Sequence, residues 1–413
     1  MIEKPIAIVL GGTSPHVLLV EKLKLRGYYV VLIDYLDNPP AKRIADEHIQ
    51  ASTLDKENVL YIAQKYKASI VISTCIDQAN SVCCYVSEKM GLPQPYSYET
   101  SLNVTDKGLM KKIMVDNGIP TSDYILTSSV ESINWSKIQY PAVVKPVDCN
   151  SSKGVCRVDN DMETRVRVLD AIKMSRTNTA IVEVYNEGEE IQVDCVATED
   201  GVKVVLTRQK QKIVRKGNEM VLQSFGSIVP APLDEELIKQ TEDIAKKIAT
   251  AFKLRNTPFF YQAIVTSAGI KVLEFAPRIG GGLSYYMLNE FAGFDAVEAA
   301  IKSFMGETIQ FESKPLDKYY SSNLLYMKAG VFNNIVGFEK LRTENIIYQI
   351  FLMKNKGTEI DSDMRSSNRV AAFILEADSV TELYQKAKYA FAHIEVYDSN
   401  NKPLLNRDIY PFN

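Results

Sequence analysis

The sequence predicts a mixed α/β and α+β protein: an N-terminal domain on a parallel sheet, then a two-lobed α+β region, then a C-terminal α+β lobe. Three observations carry this. The first hundred residues alternate apolar strand-like runs with helical patterns, which is the βαβ signature of a parallel sheet. Beyond them the apolar runs come in pairs separated by short turns, which is how antiparallel hairpins read. At 413 residues the chain also exceeds what one hydrophobic core supports.

In order, Ile6 to Leu10 is a strand, His16 to Arg26 a helix, Tyr28 to Ile33 a strand, Asp55 to Lys67 a helix and Ser69 to Ser73 a strand. A boundary helix from Asp106 stops at Gly118, ahead of Ile119 and Pro120. A small lobe follows, with a strand at Ala142 to Lys145, a loop at Asp148 to Gly154, a helix from Met162 to Lys173 and a strand at Thr179 to Val184. Strands at 190–198 and 202–208, a helix from Asp234 to Phe252, a hairpin and a helix from Ala296 build the larger lobe. The expected division is residues 1–103, then 104–310 (a mobile lobe at about 120–185 and a central lobe at about 186–310), then 311–413. The C-terminal part carries strand and helix signals, as at Ala371 to Leu375 and Val380 to Ala392, but no chemical motif.

Composition narrows the function. With 46% hydrophobic and 24% charged residues and a net charge of −3, there is no basic tract to hold nucleic acid or an anionic membrane surface. No apolar run approaches the roughly 18 residues that span a bilayer, and the N-terminus lacks a signal-peptide pattern, so a cytoplasmic location is expected. The six cysteines have no metal-ligand spacing and read as reduced core thiols; the three histidines are too scattered for a zinc site. The turn Gly11–Gly12–Thr13 before a helix, with Asp34 ending the next strand, opens a dinucleotide reading, but Pro15 and His16 occupy the later part of an incomplete fingerprint.

The densest chemistry lies in Val272 to Gly282, VLEFAPRIGGG. A hairpin turn at Thr266 to Gly269 pairs Gln262 with Glu274, and strand alternation then puts Glu274, Ala276 and Arg278 on one face. Two oxygen ligands and a cation are expected in one pocket. Upstream, Lys145 ends a buried strand before a loop containing Ser151, Ser152 and Gly154, whose small polar residues suit the cradling of phosphates with Lys145 as a point charge. Farther on, Glu183–Val184–Tyr185 runs into Glu190, a spacing that suits a nucleoside clamp: linker amides reading a base edge and a carboxylate accepting from ribose hydroxyls.

In this order and spacing the segments resemble the ATP-grasp superfamily, both its amino-acid (carboxylate-amine) ligases and a single ATP-grasp unit of the carbamoyl-phosphate synthetase large subunit. The resemblance implies a pre-ATP-grasp N-terminal domain, ATP and Mg2+ as cofactors, and ADP-forming carbon–nitrogen ligation through an acyl phosphate. It implies that Lys107 and Lys145 are nucleotide-binding lysines, Glu183 the linker acid at the adenine, Glu190 the ribose acid, Glu274 the principal magnesium ligand and Arg278 the arginine that stabilises the transferring group. Two positions depart from the family pattern. Gln262 stands where a first magnesium carboxylate is usual, and Ala276 replaces the Asn of Glu-x-Asn-x-Arg. A Gln carbonyl is a hard oxygen ligand but cannot neutralise charge, so substrate phosphates must hold more of the ion. Similar Glu-x-x-x-Arg variants followed by glycines occur among the amino-acid ligases.

The expected catalytic residues are therefore Arg278 and Lys145, and Arg278 with Gly280, Gly281 and Gly282 is expected to receive substrate. The expected partners are a small-molecule carboxylate and an amine, an amino acid being the expected substrate, with a homodimer compatible and no nucleic acid or membrane. The rivals are a carbamoyl-phosphate synthetase-like or carboxylase-like enzyme using bicarbonate, a nucleotide-binding protein that has lost turnover, and a Rossmann dehydrogenase.

Overall fold

The computed structural model describes residues 4–149, 153–213, 223–361 and 368–412. The chain divides into two compact units. The first comprises Met1–Gly188, Gln192–Leu206 and Glu235–Lys314, and the second Glu189–Ile191, Thr207–Asp234 and Pro315–Asn413.

The first unit opens with β1 (Ile6–Leu10), α1 (Ser14–Leu25), β2 (Tyr29–Asp34), β3 (Glu47–Gln50), α2 (Lys56–Lys65), β4 (Ile70–Ile72) and α3 (Asp77–Met90). Its four strands are parallel in the order β3-β2-β1-β4, with Ile8 opposite both Val31 and Val71. The expected parallel sheet is present, and β1 and β2 are near-continuous apolar runs because helices cover both faces of such sheets. The dinucleotide reading fails locally. Asp34, the acid a ribose would need, accepts from the Gly12 and Leu36 amides at 2.7 and 2.8 Å. The buried His16 ring lies against Gly11 and bonds Thr13 and Ser73, filling the loop where a dinucleotide fingerprint keeps a glycine.

Helix α4 (Tyr98–Thr105) leads into α5 (Lys107–Asp116), whose N-cap Asp106 accepts from the Leu109 amide at 2.9 Å. Next come β5 (Tyr124–Thr127), β6 (Ala142–Pro146), β7 (Cys156–Val158), α6 (Asp161–Met174) and β8 (Ala180–Val184). They form an antiparallel sheet of order β5-β8-β6-β7. Alternation sorts its faces: Ala142 and Val144 of β6, with Ala180 and Val182 of β8, join Val168 and Ala171 of α6 in one core. Lys145 and Glu183 therefore project from the opposite face.

Strands β9 (Glu189–Thr198) and β10 (Gly201–Lys212), helix α7 (Glu235–Ala251), strands β11 (Thr257–Thr266) and β12 (Gly269–Ala276), and helices α8 (Ser284–Ala292) and α9 (Ala296–Met305) complete this part of the chain. Sheet order runs β12-β11-β9-β10, with residues 189–191 and 207–212 of the latter two strands belonging to the second unit. The hairpin β11–β12 closes at Gly269, whose φ of +104° suits glycine. Tyr261 and Phe275 point to α7: the Tyr261 hydroxyl donates to Thr241 O at 2.9 Å, and the Phe275 and Phe252 rings lie 4.3 Å apart. At the other end α1 is tied to α9, through Lys22 with Asp295 at 2.6 Å and Arg26 with Glu298.

In the second unit the strands Ser224–Val229, Tyr319–Tyr326, Arg369–Ala377 and Gln349–Leu352 are neighbours in that order. Helix Val380–His393 packs on this sheet, and Phe391 stacks beside Tyr410, whose hydroxyl donates to Leu324 O at 2.9 Å.

Gly188 ends the link out of β8 at φ +147°, and a Cβ there would lie 2.0 Å from the Val265 carbonyl oxygen. Gly188→Ala therefore meets both backbone strain and a clash with an atom that cannot move independently. A loss of about 2 kcal/mol or more is expected in chemical denaturation.

Candidate active site

Helix α5, strands β6 and β8, and the β11–β12 hairpin bring the chemistry of the first unit together. Lys107 is the first residue of α5, and its amide donates to Val147 O at 2.9 Å. Its ammonium donates to Cys149 O at 2.7 Å and lies 3.8 Å from Glu274. One turn along the same helix face, Lys111 is fully buried and donates to Thr121 Oγ1 at 2.6 Å. Thr121 donates in turn to Val272 O at 2.7 Å, joining the helix to β12.

Glu183 is the centre of the cluster. Its Oε1 lies 2.9 Å from Lys145 and 3.4 Å from Lys111, and all three side chains are buried. Burial pushes the Glu183 carboxyl up, but Lys111 and then Lys145 outweigh it and hold it below the usual carboxylate range. Lys111 responds in the opposite sense: burial drives it down to about 8, with Glu183 opposing that fall and Lys145 adding to it.

Glu183 was expected as the linker acid at an adenine; here its side chain is turned to the two lysines. Its carboxylate is committed to two lysines, and its backbone lies in a central strand paired on both sides, with Tyr124 and Val143. The expected free amides at Val184 and Tyr185 are also engaged, donating to Asp123 O and Pro141 O at 3.0 Å each. The Tyr185 ring lies under Arg157 at 4.9 Å. Glu190 belongs to the second unit, where it is largely buried and paired with both Lys210 and Lys212. Burial raises that carboxyl too, and the two lysines bring it below its ordinary value.

The hairpin register follows the expectation, with Gln262 directly opposite Glu274 and a bulge after Gln262. The Glu274 side chain is 41% exposed, so its oxygens are open to a ligand. Arg278 departs from the expected pleat because β12 ends at Ala276 and Pro277 has no N–H to continue the ladder. Its guanidinium instead reaches Asp77 at the start of α3, with Nε and Nη2 donating to the two carboxylate oxygens at 2.7 and 2.6 Å. Burial works against this charge and Asp77 more than restores it.

Gly280 has a packing role, since a Cβ would meet Ser284 Oγ at 2.5 Å and Gln192 Nε2 at 2.9 Å. Gly281 and Gly282 face open space, and Ser284 Oγ donates to Gly281 O at 2.8 Å. Gly154 turns at φ +71° against Pro146 and Met174. Ser151 and Ser152 lie outside the described residues.

Four cations, Lys107, Lys111, Lys145 and Arg278, thus meet three carboxylates, Glu183, Glu274 and Asp77, leaving an excess of positive charge. Sequence reasoning missed Lys111 and Asp77. The first carried a signal in its i,i+4 spacing from Lys107, and the second in its place just past the carboxyl end of a parallel strand.

Residues 105–282 match the family model of the phosphoribosylglycinamide synthetase ATP-grasp (A) domain. The match places an ATP-grasp domain likeness on that segment of the chain. The fold is also that of an L-amino acid ligase from Bacillus licheniformis, at 19% identity and a TM-score of 0.79, covering 96% of this chain and 99% of that one. N5-carboxyaminoimidazole ribonucleotide synthetase from Thermotoga maritima is similar at 20% identity and a TM-score of 0.74, with 96% and 100% covered. Phosphoribosylglycinamide synthetase from Anaerococcus prevotii aligns at 15% identity and a TM-score of 0.76, again with 96% and 100% covered. The ATP-grasp match bears on the helix from Lys107, both lysine-bearing elements and the hairpin through Arg278.

Because the folded Glu183 carboxyl is held low, its contribution to stability is present above the ordinary carboxylate range and is lost as pH falls through the lowered value. Lys111→Met leaves it a single cation, so acid unfolding should begin at a higher pH than in the wild type. At pH 7 the variant should lose about 1–3 kcal/mol. That difference should widen between about pH 8 and 10.5, where the folded Lys111 has shed a proton that the unfolded chain still holds; pH-dependent denaturant titrations read both effects.

Proposed function

We propose that the protein is an ATP-dependent carboxylate-amine ligase that forms an amide through an acyl phosphate, with an amino acid as at least one substrate. The observation that carries this is a partly exposed Glu274 opposite Gln262 on one hairpin, with the Lys107 ammonium 3.8 Å from Glu274 and Arg278 just past the end of the same strand. The likeness in fold to an L-amino acid ligase supports the substrate class.

Lys107 and Lys145 supply point charges for the polyphosphate, and Glu183 with Lys111 fixes where the Lys145 ammonium sits. The donor set fits magnesium: Glu274 and Gln262 offer hard oxygens, while among the described residues no group of three His, Cys, Asp or Glu side chains could hold a metal. Water and phosphate oxygens would complete its shell, as this reluctantly dehydrated ion prefers. Bound there, magnesium would offset the charge of the phosphates. In the reaction a substrate carboxylate oxygen attacks the γ-phosphorus and ADP leaves. The amine nitrogen then attacks the acyl carbon, phosphate departs with the bonding pair, and the nitrogen gives up a proton. Arg278 contributes as charge moves onto the transferring group, so its effect falls on the transition state.

ADP release measured against pairs of carboxylates and amines, with bicarbonate as a separate arm, tests the reading. Turnover should need two organic partners; release driven by bicarbonate alone would replace the amide ligase with a carboxylase-like enzyme. Lys145→Ala should weaken ATP binding by about 1.5–3 kcal/mol in calorimetry. Arg278→Ala should lower kcat at saturating ATP. Glu274→Gln should abolish turnover, whereas Gln262→Glu should tighten magnesium; equal losses in both would deny the pair a shared role in metal binding.

A further inference from the structure

Arg278 is held on two sides before any substrate arrives. Nε and Nη2 donate to Asp77, and Nη1 donates to Ile279 O at 2.9 Å. The ring of Phe260 lies 5.0 Å from the guanidinium carbon. Three of the five N–H groups are thus committed, leaving one on Nη1 and one on Nη2. Asp77 is itself well anchored, in the first turn of the fourteen-residue helix α3, where the helix dipole favours a carboxylate. Both members of the pair are largely buried, which shields the contact from water and salt.

We propose that Asp77 is a positioning residue for Arg278: it occupies the Nε edge of the guanidinium so that the remaining Nη1 and Nη2 donors face one pair of substrate oxygens, carboxylate or phosphoryl. The inference rests on the active-site reading above. A guanidinium free to rotate about its side-chain bonds presents any of its edges, and each turn away from the reacting group costs rate. A misplacement of about 1 Å can cost about 100-fold. With one edge locked by a bidentate carboxylate and a second tied to the backbone, a single edge remains for substrate. Asp77 also offsets the buried charge in the absence of substrate, so Arg278 need not find a counter-ion elsewhere.

The test is a double-mutant cycle with a structural readout. Asp77→Asn keeps the size of the side chain but loses the charge and one acceptor, and should lower kcat about 10–100-fold while leaving the KM for ATP unchanged. In an Arg278→Ala background the same change should have less than about a twofold further effect, because the two act as one unit. Asp77→Ala should regain part of its activity when formate is added to fill the gap, which a general loss of stability would not allow. Asp77→Glu, which preserves the charge, should retain more activity than Asp77→Asn.

A second readout needs no turnover. In protein labelled with 15N-arginine, the Nε–H resonance of Arg278, assigned by its loss in Arg278→Lys, should be sharp and slow to exchange in the wild type and broadened in Asp77→Asn. An unchanged resonance together with unchanged kcat, or fully additive effects in the cycle, would overturn the proposal. Wild-type protein that releases no ADP with any substrate pair sinks the ligase reading instead, while the Arg278 resonance still decides whether Asp77 holds the guanidinium.

Discussion

A buried carboxylate must be neutralised or solvated, and Glu183 is almost wholly shut off from bulk solvent. It is met by Lys145 from the neighbouring strand and Lys111 from α5, so the requirement is satisfied only when the small antiparallel sheet and the helix are docked. Replacing all three charges by apolar groups of equal volume would not be costly, since buried ion pairs seldom add net stability. Their value lies in position. The same contact that satisfies Glu183 fixes the Lys145 ammonium, and through Lys111 and Thr121 it connects the lysine helix to the strand that carries Glu274.

The candidate active site is therefore assembled from elements with different reasons to exist. The hairpin is held by its α7 face, through Tyr261 and Phe275, which leaves the other face to Gln262 and Glu274. The small sheet is held by its α6 face, which leaves the other to Lys145 and Glu183. In both cases strand alternation separates packing from chemistry, so side chains on the reactive face can be changed with little effect on the core behind them.

That division explains how much could be read in advance. The parallel sheet was legible because βα alternation is a property of the chain itself, and the Gln262–Glu274 register was legible because a short turn at Gly269 fixes the pairing. The likeness to ATP-grasp ligases was likewise written in the order of lysines, acids and arginine. What escaped was tertiary. Lys111 looks like any lysine on an amphipathic helix until Glu183 lies across from it. The direction of Arg278 was misjudged because the strand stops one residue before Pro277, after which alternation no longer decides where a side chain goes. The partners of Glu183 and of the two amides after it were also not legible, since sequence does not reveal which polar groups the fold has already used.

Lys107 stands at the wrong end of its helix. The first turn of α5 carries the positive pole of the helix dipole, where a cation is unfavourable, and its backbone amide is tied down so that the lysine cannot retreat. The fold thus stores a local electrostatic tension that Glu274, nearly 4 Å away and partly in solvent, relieves only in part. An anion lodged beside Lys107 would release the rest, so that on the proposed function a bound nucleotide would also stabilise the fold. The heat needed to unfold the protein would then become, through this one helix terminus, a gauge of how much polyphosphate surrounds it.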